Sequence, residues 1–393
     1  MDRISHALPK LSNAVEIAGK INAPHEAIDY CKFGDEYAVY NRISGTLLVL
    51  NPSAFSIFNA LRQGVSRRET AHMIAGNSDA PYDLVLEDID TQINQWFEAG
   101  LFDEADKVSN PAIFPKCHLK ASFQSGENNF TFSSNDQTVF SLFCDLLAPL
   151  AGVTSFSAGE GQVELSLSVE DGKYSVWYNG EYLYGPEEFP PARHTAIAKI
   201  ATLAASGNVG CVFHASAFIF NEKTFLVSGR SGAGKSTLTA TMAAQNAVYL
   251  ADDLVSMNEQ LNELYPNPVR LNVKASSFKI INKLYPDLQN ATDWNVAGVN
   301  TRYVQPARTP KFKSCAVDCL IFPQFAEDAT PSASQLKGRD ALTKLAMNGI
   351  DLSREAGAIR HMVNFVSITP CFDLKYSSSE EAYEMINQVS LSK

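Results

Sequence analysis

A nine-residue segment, GRSGAGKST at residues 229–237, limits what this chain can be more than any other feature. It satisfies the pattern GxxxxGK[ST], in which glycines let backbone N–H groups close around phosphate oxygens. TFLVS before it predicts a strand, and STLTATMAA after it predicts a helix whose N-terminus faces the bound charge. The residues expected to cradle a nucleotide are Gly229, Ser231, Gly232, Ala233, Gly234, Lys235, Ser236 and Thr237. A glycine-rich turn that binds no ligand is the alternative.

Two adjacent acids, Asp252 and Asp253, follow AVYL, a predicted strand that ends where the chain leaves its sheet. A phosphate loop needs a carboxylate for Mg²⁺, and an attacking hydroxyl needs a group that takes its proton. Ser236 and Asp252 are the candidate metal ligands. Both acids are candidate catalytic residues, together with Lys235, which is expected to reach the β- and γ-phosphates. The sequence leaves open which acid is the base and whether one of them only caps the next turn.

A histidine and several arginines are further candidates. His214 lies in CVFHASAFIF, a segment expected to form a hairpin with TFLVS and so to return toward the nucleotide. It is a candidate catalytic residue, with a structural strand histidine as the alternative. Arg270, in PNPVRLN, is a candidate for binding phosphate or a substrate carboxylate, or else a surface arginine. Arg302 and Arg308 are weaker candidates of the same kind.

The length and charge of the chain narrow its class. With 393 residues it is long enough for two or three domains. Its 43 Asp and Glu against 32 Lys and Arg give a net charge of -11, which argues against nucleic-acid and anionic-membrane partners. Residues 200–221 carry no charged side chain, but SGN and a histidine interrupt them. They predict a helix end, a turn and a buried strand, and no membrane span.

The cysteines and the N-terminal residues suggest a cytoplasmic protein. The seven cysteines are odd in number and scattered, which is typical of free thiols in a reducing compartment. Cys315 and Cys319 stand four apart without a second ligand pair, so a zinc site is not expected. The first ten residues, MDRISHALPK, lack the apolar core of a signal peptide.

Residues 35–104 predict a small unit that begins with a β-hairpin over residues 36–50. Asn51-Pro52 offers an N-cap and a favourable first helical residue, so a helix is expected to run to Gly64. Ser66 and Glu69 form a capping box for a second helix that stops near Gly76. Residues 1–30 show no periodicity and predict a loose arm.

A third helix is expected over residues 83–99, because its apolar residues follow the three-four spacing of one buried face. Leu101 and Phe102 predict a short closing strand. The unit is therefore winged-helix-like, an α+β arrangement. Its third helix carries five acids, so DNA recognition is not expected, since a recognition helix needs positive charge against phosphate.

Residues 105–115 contain two prolines and few large apolar side chains, which predicts a linker between a domain at 1–104 and a domain at 116–393. From residue 116 the pattern mixes strands (ASFQ, FTFS, VELSLSV and KYSVWYN) with helices near residues 139–147 and 192–205. A hairpin then leads into the phosphate loop, a helix over 235–244 and the strand before the acids.

HASAF, the hairpin, GRSGAGKST and LADD together resemble the catalytic domain of the HPr kinase/phosphorylases and related kinases, some of which phosphorylate ribosomally made peptides. The resemblance covers roughly residues 116–390 and includes the C-terminal CFDLKYSSSEEAYEMI. It implies a phosphoenolpyruvate-carboxykinase-like α/β fold, use of ATP and Mg²⁺, and catalytic roles for His214, Lys235, Ser236, Asp252 and Asp253. The Gly-rich second signature of true HPr kinase/phosphorylases does not follow the acidic pair, so HPr as substrate is not implied.

Residues 35–104 resemble PqqD-like domains, through LNPSAFSIFNAL, the capped SRRETAHMI and DIDTQINQWFEAGLF. Such domains bind the leader of a precursor peptide as an added strand, packed against the third helix. A winged-helix module for homo-oligomer assembly is the alternative. The leading hypothesis is an ATP-dependent kinase that phosphorylates Ser or Thr of a peptide or protein, with a ribosomally made precursor peptide that the N-terminal domain recruits as the expected substrate. A nucleotide-regulated scaffold and a small-molecule kinase are the competing hypotheses.

Overall fold

The computed structural model describes residues 27–78, 80–102, 114–151, 163–205, 209–296 and 298–391. Its contacts divide the chain into two compact units. The first comprises Met1–Asp106 with Arg354–Val363, and the second comprises Lys107–Ser353 with Asn364–Lys393. The predicted linker lies almost wholly outside the described residues.

The first unit contains a three-stranded antiparallel sheet in the order β1-β2-β3, followed by three helices. These elements are β1 (Ile28–Phe33), β2 (Glu36–Asn41), β3 (Leu47–Leu50), α1 (Pro52–Arg62), α2 (Arg67–Gly76) and α3 (Tyr82–Glu98). The strand β1 corrects the prediction of a loose arm through residue 30. Residues 101–102 form a turn and not the predicted strand, because the Leu101 N–H bonds back to Trp96 O at 2.9 Å.

Local sequence signals account for the helix starts in the first unit. The Asn51 side chain accepts a hydrogen bond from the Ala54 N–H at 2.8 Å, which confirms the predicted cap. The Ser66–Glu69 capping box is also confirmed, with both of its reciprocal bonds present. One core joins the sheet to the helices, and four residues of α3 enter it at the predicted spacing: Val85, Ile89, Ile93 and Trp96.

The second unit begins with a five-stranded sheet in the order β4-β5-β6-β7-β8, antiparallel except between β5 and β6. Its elements are β4 (Leu119–Ser125), β5 (Asn128–Ser134), α4 (Gln137–Leu146), β6 (Val163–Glu170), β7 (Lys173–Tyr178), β8 (Glu181–Glu187) and α5 (Phe189–Ala204). Helices α4 and α5 share one apolar core with the sheet. Strand β8 is absent from the sequence prediction, since its EYLYGPE carries the Gly and Pro typical of loops.

A six-stranded mixed sheet carries the phosphate loop, in the order β12-β10-β11-β18-β21-β19. Strands β10 (Ala215–Phe220) and β11 (Lys223–Ser228) pair antiparallel, which confirms the predicted hairpin, and β11 pairs parallel with β18 (Cys319–Phe325). The other members are β12 (Val248–Ala251), β19 (Ser332–Leu336) and β21 (Cys371–Tyr376). Helices α6 (Lys235–Ala244) and α10 (Ser379–Leu391) pack on this sheet. The sheet is therefore mixed, as the resemblance implies.

The remaining elements form two small sheets and three helices. The strands are β9 (Val209–Phe213), β13 (Val255–Asn258), β14 (Leu264–Tyr265), β15 (Leu271–Lys274), β16 (Trp294–Val296), β17 (Val299–Val304) and β20 (Ile350–Leu352). The helices are α7 (Phe278–Leu284), α8 (Gly338–Asn348) and α9 (Ala358–Ile368). Across the described residues, no helix is both long enough and apolar enough to cross a membrane.

Candidate active site

The phosphate loop leaves the buried strand β11 and ends at the first residue of α6. Gly232 and Gly234 have φ angles of +84° and +99°, a region that L side chains rarely adopt. A Cβ on Gly234 would lie 2.9 Å from the Tyr376 hydroxyl, whereas one on Gly232 would meet open space. Two glycines of the motif are thus required by the backbone, and one also by close packing.

Two lysines meet at this loop. Lys235 is only 7% exposed, and its Nζ donates to Gly229 O at 2.6 Å. Burial lowers the pKa of Lys235, and the two acids nearby oppose that shift. Lys274, at the end of β15, donates to Ser231 Oγ at 3.0 Å and lines the same cavity as Lys235. Phosphate bound in this cavity would lie near two cations.

Asp252 is buried, 2% exposed, and both of its carboxylate oxygens are occupied. Oδ1 accepts from Ser236 Oγ at 3.0 Å, and Oδ2 accepts from the Asn272 N–H at 3.1 Å. Burial and then the charge of Asp253 raise the pKa of Asp252 to about 6, against these two hydrogen bonds. The motif serine and the first acid are therefore held together as one oxygen pair.

Asp253 has a different environment, one residue later. Its φ of +73° is unusual for a residue with a side chain. Oδ2 lies 3.0 Å from Arg193 Nη1, and Oδ1 lies 3.5 Å from His214 Nε2. Burial alone would raise the pKa of Asp253, but the His214 contact and the Arg193 charge outweigh it and hold that pKa well below its usual range.

His214 lies at a junction between two sheets and not inside the predicted strand. It separates β9, which pairs with β13 and β20, from β10 in the six-stranded sheet. Its N–H donates to Gly349 O at 3.0 Å. The continuous apolar letters of CVFHASAFIF hide this break, because both halves are buried. The break turns the His214 side chain to Asp253.

A cavity of about 100 Å³ lies between the phosphate loop, His214 and Asp253. Its lining includes eight residues proposed from the sequence: His214, Ser231, Gly232, Gly234, Lys235, Ser236, Thr237 and Asp253. Lys274, Ser277 and Ile281 also line this cavity. Gly229 and Ala233 line a second cavity of about 300 Å³ with Arg230.

The three arginines proposed from the sequence lie elsewhere. Arg270 pairs with Asp145 and lines a separate cavity of about 430 Å³ with Tyr285 and Tyr303. Arg302 bonds to Asp293 at 2.6 Å, and Arg308 donates to Asn246 O at 2.5 Å. None of the three is among the described residues that line the phosphate-loop cavity.

Three residues of the site escaped the sequence analysis: Arg193, His194 and Lys274. Arg193 and His194 are consecutive in α5, and the His194 ring lies edge-on to His214 with centroids 5.9 Å apart. Burial lowers the pKa of His194. No local pattern marks these residues, since sixty positions separate Arg193 from Asp253. The only hint is two basic residues in a helix start, FPPARH, that is otherwise apolar.

The oxygen donors suit Mg²⁺ completed by phosphate and water. Among the described residues, no group of three or more His, Cys, Asp or Glu side chains could hold a metal by itself. A magnesium site in a phosphate loop needs fewer protein ligands, because the metal keeps waters and binds the nucleotide's phosphates. The hydroxyl of Ser236 beside the carboxylate of Asp252 provides that minimal pair.

Comparison with known proteins gives little beyond this geometry. No family model matches the sequence, and no curated protein matches it. Forty chains of solved structures match. One is the Hpr(Ser) kinase/phosphatase from Coxiella burnetii, which is 12% identical over 45% of this chain and 93% of its own, with a TM-score of 0.22. A structural likeness with so low a TM-score supports no inference about function, so function is inferred from the geometry of the site alone.

Proposed function

We propose that this chain is an ATP- and Mg²⁺-dependent kinase that phosphorylates a Ser or Thr hydroxyl of a peptide or protein. The observation that carries the proposal is that the two adjacent acids after β12 contact different groups. Asp252 is bonded to the motif serine, while Asp253 lines the cavity beside His214. A phosphoryl transferase needs both a metal ligand and a free proton acceptor close to its phosphate loop.

In this proposal the loop amides, Lys235 and Lys274 hold the β- and γ-phosphates, and Ser236 with Asp252 holds the metal. Bound Mg²⁺ would neutralise charge that develops on the transferred phosphoryl group. The chain itself supplies orientation, because the loop is fixed by two left-handed glycines and by the Lys235 contact with Gly229 O. When a nucleotide binds, Lys235 Nζ would exchange its contact with Gly229 O for one with a phosphate oxygen. Lys235 would then stay paired with the negative charge of the transferred phosphoryl group.

Asp253 is the better placed base, although Asp252 has the higher pKa. A base must first reach the hydroxyl, and basicity matters only after that. Both oxygens of Asp252 are occupied and buried, whereas Asp253 reaches the cavity. The lowered pKa of Asp253 keeps it ionised at neutral pH but makes it a weak base, so its position and not its basicity makes it the candidate, with His214 Nε2 beside it at 3.5 Å.

The first unit offers a way to recruit a peptide. Its three-stranded sheet has two outer strands, β1 and β3, each with an edge that no described strand covers. Thr46, just before β3, donates to Gly100 O at 3.1 Å, which brings the start of β3 to the end of α3. An extended peptide added beside β3 would lie near α3, which is the recognition mode that the PqqD resemblance implies.

Labelled phosphate transfer tests the proposal. The full chain is incubated with γ-labelled ATP, Mg²⁺ and a library of Ser- and Thr-containing peptides, and the product is mapped by mass spectrometry. Lys235→Ala should abolish transfer, since it removes the cation that follows the phosphate. A variant peptide with Ala at the acceptor should stay unlabelled. ATP binding without transfer would favour a scaffold, and labelling only of small metabolites would favour the small-molecule kinase.

Magnesium dependence separates the roles of the two acids. Asp252→Asn should weaken the metal site, so raised Mg²⁺ should recover part of its turnover. Asp253→Asn should lose on the order of a hundredfold in turnover as a missing base, and added Mg²⁺ should not restore it. Recovery of Asp253→Asn instead of Asp252→Asn would exchange the two roles.

A further inference from the structure

One buried arginine contacts the proposed base from a different part of the second unit. We propose, on the basis of the kinase function above, that Arg193 is a positioning residue that fixes Asp253 so that Oδ1 faces the acceptor. Arg193 itself is not expected to touch either substrate. Its Nη1 lies 3.0 Å from Oδ2, and Arg193 is only 7% exposed.

Helix α5 gives Arg193 a rigid base. The helix begins with Phe189-Pro190-Pro191, and proline near a helix start has its backbone angle already set. Ala192 and Ala196, on either side of Arg193, are fully buried in the core shared with the five-stranded sheet. A group carried by a packed helix keeps its position better than one carried by a loop. Arg193 can therefore act as a fixed point for Asp253.

Asp253 needs such a fixed point. Its φ of +73° places it in a left-handed conformation that is strained for a residue with a side chain. The two contacts with its carboxylate are unequal, 3.0 Å from Arg193 to Oδ2 and 3.5 Å from His214 to Oδ1. Oδ1 is thus the more loosely held oxygen and the one available to a hydroxyl.

The contacts of Arg193 indicate that its main role is to hold the carboxylate of Asp253. Nε and Nη2 make no hydrogen bond of good geometry with any described residue, and the buried Tyr303 hydroxyl is the other group beside Asp253 that lies close to the guanidinium. Asp253 is the acid that forms an ion pair with it. Of the five N–H donors of Arg193, those on Nη1 reach the Asp253 carboxylate. Its planar group orients one carboxylate.

Hydrolysis of Mg·ATP without any acceptor tests this proposal, because water then takes the place of the hydroxyl. The full-length variants are Arg193→Gln, Arg193→Lys, Asp253→Asn and the double variant Arg193→Gln/Asp253→Asn. Arg67→Gln is the matched control, since it removes a 2.6 Å ion pair with Asp90 in the first unit. Thermal unfolding of each variant reports whether it folds.

Arg193→Gln should lower kcat by about tenfold to a hundredfold, because misplacing a reactive group costs rate. Its KM for ATP should stay within about threefold, since the phosphate loop is untouched. Arg193→Lys, which keeps the charge, should recover part of the loss. The double variant should be no slower than Asp253→Asn, because Arg193 acts through Asp253. Arg67→Gln should hydrolyse ATP like the wild type.

Losses that multiply in the double variant, or an Arg193→Gln enzyme with wild-type kcat, would overturn the positioning role. If Arg193→Gln does not fold, Arg193→Lys decides, because a wild-type kcat in that variant removes the need for the guanidinium geometry. Hydrolysis that depends on Arg193, but with no peptide phosphorylated, would reject the proposed function and leave this inference standing. A wild type that binds Mg·ATP but neither hydrolyses it nor transfers phosphate to a peptide would overturn both.

Discussion

The two adjacent acids should respond in opposite ways to the same substitution. Asp252 is buried, and the negative charge of Asp253 repels the charge of its carboxylate. The ionised form of Asp252 therefore lowers the free energy of unfolding. Asp252→Asn removes that charge and keeps an acceptor for the Asn272 N–H. Asp253→Asn instead removes the partner of Arg193, a guanidinium that is 7% exposed. We expect the first variant to be more stable than the wild type at pH 8, and the second to be less stable.

The magnitude follows from the pKa of Asp252, which rises from 3.8 to about 6 on folding. A raised pKa adds no penalty below the unfolded value, and the penalty then grows until the pH passes the folded value. At pH 8 it reaches on the order of 3 kcal/mol, and at pH 4 it falls to about 0.5 kcal/mol. Asp253→Asn should cost roughly 3–5 kcal/mol, less the relief of charge at Asp252.

Urea unfolding of the nucleotide-free protein at pH 4 and pH 8 provides the measurement. Asp252→Asn should have a higher midpoint than the wild type at pH 8, and the two midpoints should converge at pH 4 with unchanged slopes. Asp253→Asn, the matched control, should have a lower midpoint at pH 8. A destabilised Asp252→Asn at pH 8 would refute the assignment of a buried, unfavourable charge to this residue.

Two further predictions concern the loop and the peptide. Gly234→Ala should destabilise the protein more than Gly232→Ala. Both glycines have positive φ, but only a Cβ at residue 234 would closely approach Tyr376. Thermal unfolding measures the difference, and equal losses of stability would contradict the packing argument. Leu84→Glu, on the exposed side of α3, should raise the KM for precursor peptide, whereas Met73→Glu on α2 should not. Both side chains are over half exposed, 52% and 57%, so unequal folding damage is not expected, and equal KM values would argue against a groove at α3.

Much of the local structure followed from the sequence because its signals are local. The cap at Asn51, the box at Ser66 and the start of α6 at Lys235 each depend on residues within one turn of helix. Strand β8 and the grouping of Arg354–Val363 with the first unit have no local signal. Within that unit the Gly357 N–H donates to Asp29 at 3.1 Å, a contact across more than three hundred residues.

The candidate site was predictable from the sequence only where its residues lie close together in the chain. A phosphate loop is a contiguous motif, and an acidic pair after a strand is nearly so. Arg193 and Lys274 reach the site from α5 and β15, so only tertiary structure shows them. Arg270 illustrates the converse error: it follows the acids closely in sequence, but pairs with Asp145, which α4 carries. Sequence distance from a motif therefore does not predict which cations meet the phosphate.

The acidic pair also shows that two adjacent carboxylates can have pKa values shifted in opposite directions. Asp252 points to the start of α6, where Ser236 occupies it, and Asp253 points to α5, where Arg193 occupies it. The bend after β12 and the left-handed backbone at Asp253 make this divergence possible. A carboxylate bound to a metal is a poor proton acceptor, so one acid cannot serve both tasks. Neighbouring carboxylates whose pKa values are driven apart by their surroundings are typical of acid–base sites. The separation of the two environments is therefore the structural feature on which the proposal of phosphoryl transfer, and not of nucleotide binding alone, rests.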